Sequence, residues 1–191
     1  MRLGILGGTF DPPHVGHLLV AEDAYAALRL DRLVFVPAGA QPLKADRAVT
    51  PAEHRLAMVR AMIGNDSRFA VSAVEVERGG LSFTVDTVRH YAEQFPSSER
   101  FLLIGADVLA TFAQWRDPAT VVRLAQPVIL QRAGSPLPPQ DVGGVTPMRL
   151  ETRRVDVSST EVRDRVRQGL PIRGFVTDAV ASMIGRLGLY R

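Results

Sequence analysis

Six short apolar runs rich in β-branched residues punctuate the chain at residues 3–6, 33–36, 70–76, 101–104, 128–130 and 155–157. Between most of them lie amphipathic or Ala/Leu-rich stretches of helical length. Strands that are apolar throughout are buried on both faces, and strands separated by helices pair in parallel. The pattern predicts an α/β fold, a Rossmann-like doubly wound parallel sheet with helices on both faces. A chain of 191 residues can fill one core, and no repeat or composition shift marks a second. The expectation is a single domain over residues 1–191 with a small C-terminal helical portion.

Helix starts are well marked. Thr50, Pro51 and Glu53 have capping-box spacing with proline at the first helical position, ahead of Leu56, Val59 and Ile63. Asp117-Pro118 opens another helix, Ser158 and Glu161 repeat the box spacing, and Thr177-Asp178 can open the last. Residues 38–49 and 133–147, punctuated by Gly and Pro, read as irregular connections, the second exposed and mobile. Ligands of open parallel sheets bind beyond the carboxyl ends of the strands. The loops after Leu6, Val36, Ile104 and Val157 are therefore expected to converge on one site.

The first of those loops carries the strongest chemical signal: Gly7-Gly8-Thr9-Phe10-Asp11-Pro12-Pro13-His14-Val15-Gly16-His17. Two glycines let backbone approach an anion in conformations that a side chain would forbid. The apolar run at residues 18–30 reads as a helix, whose N-terminal N–H groups and positive dipole end would lie beside the turn. His14 and His17, three apart, would share one face. Together they read as an anion cradle with two donors. An H-x-x-H pair can also chelate a metal, but that needs further ligands, and only His54 and His90 remain as imidazoles. A purely structural pair is the other alternative.

A second strand-to-helix turn, Val157-Ser158-Ser159-Thr160-Glu161-Val162-Arg163, offers hydroxyls, N–H groups and a guanidinium fork. Alone it is a helix cap. Beside the first turn it becomes a candidate for the far end of a triphosphate.

Composition narrows the field. The chain has no cysteine, which excludes disulfides, zinc–thiolate sites and thiol nucleophiles. No run approaches the ~18 apolar residues of a membrane span, and no signal-peptide pattern precedes the first strand, so a cytoplasmic protein without membrane partners is expected. Net charge is +3 and the isoelectric point about 9.9. The arginines are scattered along helices rather than massed, and Lys44 is the sole lysine, so nucleic acid is not expected as a partner. Oligomeric state is left open, a homo-oligomer included.

The segment from Gly7 to His17 resembles the GGTFDPxHxGH signature of bacterial nicotinate mononucleotide adenylyltransferases, in the HxGH nucleotidyltransferase superfamily. Val157 to Arg163 is similar to that family's ISSTxIR motif, with valine for both isoleucines. Phe35-Val36-Pro37-Ala38-Gly39, Ser82-Phe83-Thr84-Val85-Asp86-Thr87, Ile104-Gly105-Ala106-Asp107, Trp115 and the terminal Arg186-Leu187-Gly188-Leu189-Tyr190 extend the likeness over the whole chain.

The resemblance implies adenylyl transfer from ATP to nicotinate mononucleotide, giving deamido-NAD and pyrophosphate in NAD biosynthesis, with ATP and the mononucleotide as partners. It implies that His14 and His17 contact the ATP phosphates, His17 stabilising developing charge. Gly7, Gly8, Thr9 and Phe10 would line the junction of the two nucleotides, and Gly105 and Asp107 would meet the adenosine side. Ser159, Thr160 and Arg163 would hold the departing phosphates, with Arg163 counted alongside the histidines as catalytic. On the acceptor side, Trp115 would stack on the pyridine ring and the helix start at Thr84 would receive its carboxylate. Thr9, Lys44 and Arg132 would complete that subsite. Mg²⁺ is expected to ride on the triphosphate, with no side-chain metal cage. One departure is Gln41-Pro42-Leu43-Lys44 where many members carry Pro-x-His-Lys, so Leu43 inherits no role. The rivals are a phosphopantetheine-type or other HxGH adenylyltransferase, whose phosphopantetheine branch typically has threonine at the place of His14, and a non-catalytic nucleotide-binding module.

Overall fold

The computed structural model describes residues 1–40, 49–109, 111–132, 141 and 144–191, with the side chains of Asp107 and Arg132 outside that description. Lys44 and Leu43 lie outside the described residues, as do most of the two expected irregular connections.

Six strands, β1 (Arg2–Gly8), β2 (Arg32–Pro37), β3 (Phe69–Val71), β4 (Glu99–Gly105), β5 (Gln126–Arg132) and β6 (Met148–Thr152), form one sheet in the order β3-β2-β1-β4-β5-β6. Every pairing is parallel; Ile5 stands opposite Val34 on one side and Leu102 on the other. Helices α1 (Val15–Ala27), α2 (Ala52–Ile63), α3 (Val74–Arg78), α4 (Thr84–Gln94), α5 (Ala106–Leu109), α6 (Pro118–Leu124), α7 (Ser159–Arg167) and α8 (Asp178–Leu187) connect and cover it. The chain winds outward from β1 to β3, then returns to lay β4 on the other side of β1. The connections leave β1 and β4 in opposite directions, and the gap between them is the switch point where such sheets bind ligands.

Alternation along each strand divides the core. Leu3, Ile5, Val34, Val36, Leu102, Ile104 and Ile129 pack with Val85, Val88 and Tyr91 of α4 and Val121 of α6. On the opposite face Leu6, Leu33, Phe35, Leu103 and Val128 meet Met58 and Val59 of α2, Val162 of α7 and Val180 and Ile184 of α8. Burying each such side chain contributes about 1.5–3 kcal/mol.

Several expected boundaries move. The third run is a short edge strand, Phe69–Val71, and its valines at 74 and 76 belong to α3 instead. The sixth strand is Met148–Thr152 rather than 155–157. As an edge strand paired only with β5, it alternates Met148 and Leu150 with Arg149 and Glu151, a half-solvated pattern unlike the continuous apolar runs of the interior. Helix α1 starts at Val15, not Leu18, and stops at Ala27, followed by Arg29 in the left-handed region (φ 48°). Asp117, Ser158 and Thr177 cap α6, α7 and α8 through their side chains, accepting from Thr120, Glu161 and Val180 N–H groups. Thr50 does not cap α2; its carbonyl is engaged by Arg55.

Candidate active site

A cleft of about 770 Å³ opens at the carboxyl ends of β1 and β4, within the range of small-molecule sites. Gly7, Gly8 and Thr9 line it, with His14, His17, Gly105, Thr84, Trp115, Ser158 and Ser159. Residues following β1, β2 and β4 and the start of α7 thus meet in one space, as the convergence of loops required.

The histidines define its floor. Their ring centroids are 3.8 Å apart and tilted by 34°. The His14 backbone N–H donates to His17 Nδ1 at 3.2 Å. An Nδ1 that accepts cannot carry the proton, so neutral His17 presents Nε2–H as its donor. Burial, and then repulsion from His14, holds the His17 pKa well below the ordinary imidazole range. His17 is therefore a neutral donor of fixed tautomer at neutral pH. Its ring also meets Phe10 edge-on at 4.9 Å.

The glycines of the turn do not adopt the backbone angles expected of them. Gly7 and Gly8 are not among the residues with positive φ; they complete β1 in extended backbone. A Cβ on Gly8 would fall 2.8 Å from Phe10 Cζ, whereas one on Gly7 would meet nothing within 4 Å. Gly8 makes room for Phe10, and Gly7 leaves the strand end open to the cleft. The left-handed residue is Phe10 itself, at φ 52°, a conformation costing about 1–2 kcal/mol for a residue with a side chain. Packing holds it there: the ring is 2% exposed, wedged between Gly8, Phe35 and His17. Phe10 supports the cradle from beneath rather than lining it.

The two helix starts differ in what they leave for an anion. At α1, Val15 N–H donates to Phe175 carbonyl and His17 N–H to His14 carbonyl, each at 2.9 Å, so two of its first three donors are already engaged. At α7, Ser158 caps through its hydroxyl, and the Ser159 and Thr160 N–H groups have no partner among the described residues. The Ser159 hydroxyl donates to Pro12 carbonyl at 2.8 Å, and Arg163 donates to Asp11 carbonyl at 2.7 Å and Thr160 Oγ1 at 3.0 Å. These bonds tie α7 to the turn after β1. Thr160 and Arg163 are not among the residues lining the cleft.

On the other side, Thr84 is the first residue of α4 and lines the cleft. The Trp115 ring lies 4.9 Å from Phe112, and its Nε1 donates to Thr111 Oγ1 at 3.4 Å. Asp107 lies in α5 and Arg132 ends β5, their side chains outside the description.

Sequence reasoning missed several polar groups. Glu75 and Thr87 line the cleft and are buried, and Thr87 Oγ1 donates to the Glu75 carboxylate at 2.5 Å. Arg153, also lining, is held by Asp23 at 2.8 Å. The carboxylate of Asp11 accepts from the Tyr190 hydroxyl at 2.7 Å, fastening the C-terminal segment to the cradle. The valines flanking Glu75 suggested a strand, which hid its place on α3.

Glu75 supplies a pH prediction. Burial is the largest influence on its carboxyl and raises the pKa, against the opposing pull of the Thr87 and Ser82 hydroxyls. An acid whose folded pKa exceeds its unfolded value contributes its stability at low pH and loses it as pH rises through that window. Glu75→Gln keeps an acceptor for Thr87 without the charge. Its Tm should match wild type near pH 4 and exceed it at pH 7; a difference that does not change with pH would contradict this.

The cytidylyltransferase-like family model matches residues 5–165. The chain is 50% identical to a protein of Gemmatimonas aurantiaca, an alignment covering all of this chain and 93% of the relative. It is 42% identical to a protein of Opitutus terrae, covering all of this chain and 98% of that one. Both carry the name "Probable nicotinate-nucleotide adenylyltransferase". Among solved structures, Plasmodium falciparum nicotinic acid mononucleotide adenylyltransferase complexed with NaAD has the same fold, with a TM-score of 0.80 at 18% identity, over 99% of this chain and 97% of that one.

Proposed function

Since the chain belongs to the nicotinate-nucleotide adenylyltransferases of the cytidylyltransferase-like family, we propose that the cleft between β1 and β4 is where it transfers the adenylyl group of ATP to nicotinate mononucleotide. The products are deamido-NAD and pyrophosphate, a step of NAD biosynthesis. The observation that carries the assignment is the meeting of a fixed Nε2–H donor, a helix start with open N–H groups and a tryptophan in one cleft.

An oxygen of the acceptor's phosphate attacks the α-phosphorus of ATP; that P–O bond forms as the α–β bridge breaks and its electrons leave on pyrophosphate. Positioning and charge stabilisation supply most of the effect in phosphoryl transfer. His17 donates through Nε2–H to the oxygens on which charge grows, with His14 beside it. The Ser159 and Thr160 N–H groups receive the departing phosphates, and Arg163 adds positive charge there while holding Thr160. Gly7, Gly8 and Thr9 form the backbone surface at the junction of the nucleotides, and Gly105 and Asp107 take the adenosine side.

For the acceptor, Trp115 provides the stacking face and the N-terminus of α4 at Thr84 takes the pyridine carboxylate, with Lys44 and Arg132 as charged partners. An amide in place of that carboxylate would leave these donors without their anionic acceptor, which is the basis for preferring the acid. Among the described residues no three His, Asp or Glu side chains gather as a metal site. Mg²⁺ would enter on the phosphate oxygens of ATP, where it would neutralise charge and keep most of its waters. Residues 1–191 work as one nucleotidyltransferase domain, a reading supported by the core that α7 and α8 share with β1 and β2. Among the described residues no helix is long and apolar enough to cross a membrane.

Purified protein mixed with ATP, Mg²⁺ and either nicotinate or nicotinamide mononucleotide tests this. Pyrophosphate should appear with the acid and more slowly with the amide. No release with either acceptor would overturn the assignment, and faster turnover of the amide would overturn the account of selectivity.

A further inference from the structure

We propose that Arg55, on α2, is a positioning residue that fixes the spacing between the phosphate cradle after β1 and Gly39, just beyond the end of β2. The inference rests on reading the cleft as the adenylyl-transfer site.

The Arg55 side chain is 2% exposed. Its Nη1 donates to Thr9 carbonyl at 2.7 Å, Nη2 to Gly39 carbonyl at 2.7 Å and Nε to Thr50 carbonyl at 2.9 Å. The three acceptors belong to the turn after β1, the loop after β2 and the segment entering α2. All are neutral carbonyls; among the described residues no carboxylate forms an ion pair with this guanidinium, and Asp11, Glu53 and Glu75 act on it only through space. Burying a cation against neutral acceptors costs free energy that a carboxylate would have offset. The fork offers geometry in return, because a planar guanidinium sets the directions of its donors.

Of the held residues, Thr9 lines the cleft and Gly39 follows Ala38, which lines it too. The Thr9 hydroxyl is buried with no partner among the described residues. Gly39 is gripped from both ends: Arg55 takes its carbonyl and Ser82 Oγ accepts its N–H at 2.9 Å. A Cβ on Gly39 would lie 2.7 Å from Glu75 carbonyl oxygen, so this loop residue is also wedged against α3. Arg55 thus joins by one rigid group the two strand ends that face the two substrates. A shift of about 1 Å between reacting groups can cost on the order of a hundredfold in rate.

Arg55→Lys keeps the charge and loses the fork. It should lower kcat at least tenfold and raise the KM for nicotinate mononucleotide at least threefold. The Kd for ATP, measured calorimetrically, should stay within threefold, because ATP is held mainly by His17 and α7. A role in folding alone would lower Tm while molecules still folded kept wild-type kcat and KM, and that result overturns the proposal. Failure of the wild-type enzyme to release pyrophosphate would instead overturn the underlying function. Should Arg55→Lys not fold, Ser82→Ala loosens Gly39 from its other end. It should raise the KM for the mononucleotide without changing ATP affinity, and an unchanged KM overturns the proposal.

Discussion

His17→Ala should lower kcat by about a hundredfold to a thousandfold, the usual loss when one fixed transition-state donor is removed. The imidazole is held on three sides. Its Nδ1 accepts from His14 N–H, its ring meets Phe10 edge-on, and the His14 ring lies 3.8 Å away. Burial keeps it uncharged, so Nε2–H is in place as a donor before substrate arrives, with no proton to acquire first. Alanine removes the donor and leaves His14 N–H without its acceptor. Loss of such a bond at a helix start costs about 0.5–2 kcal/mol. The variant should fold with Tm lowered by only a few degrees, so circular dichroism separates lost chemistry from lost structure. Wild-type turnover in a folded variant would refute the role.

Trp115→Ala should raise the KM for nicotinate mononucleotide about tenfold while shifting that for ATP much less. Stacking of a flat heterocycle on an aromatic side chain is worth about 1–3 kcal/mol, and tenfold corresponds to about 1.4 kcal/mol. The ring is backed by Phe112 and held at Nε1 by Thr111, so little ordering is needed on binding. As the only tryptophan, Trp115 also reports its own occupancy: deamido-NAD should quench its fluorescence saturably. A KM increase confined to ATP would place the tryptophan on the other nucleotide.

The parallel sheet was legible because interior strands are apolar on both faces and their runs are continuous. Edge strands are not, which is why β3 shrank to Phe69–Val71 and β6 lay at Met148–Thr152, upstream of the run expected. Strand-to-helix turns were legible as motifs, since glycine, histidine and serine mark them at short range. What each residue does within the turn was not. The strain expected of glycine sits on Phe10, and Ser159 spends its hydroxyl on Pro12 carbonyl. Arg55, Glu75 and Tyr190 are joined to the cradle and its loop by contacts across long sequence separations. Hydrophobic periodicity carries no trace of such bonds.

The central claim is that His17 acts as a donor and the transfer is direct, with no adenylyl group passing through the enzyme. A histidine could instead attack the α-phosphorus as a nucleophile, and the two routes differ in stereochemistry. ATP made chiral at the α-phosphorus by sulfur substitution distinguishes them. One in-line displacement inverts that centre, and deamido-NAD of inverted configuration is the predicted product. Retention would require two displacements through a covalent intermediate and would contradict the account.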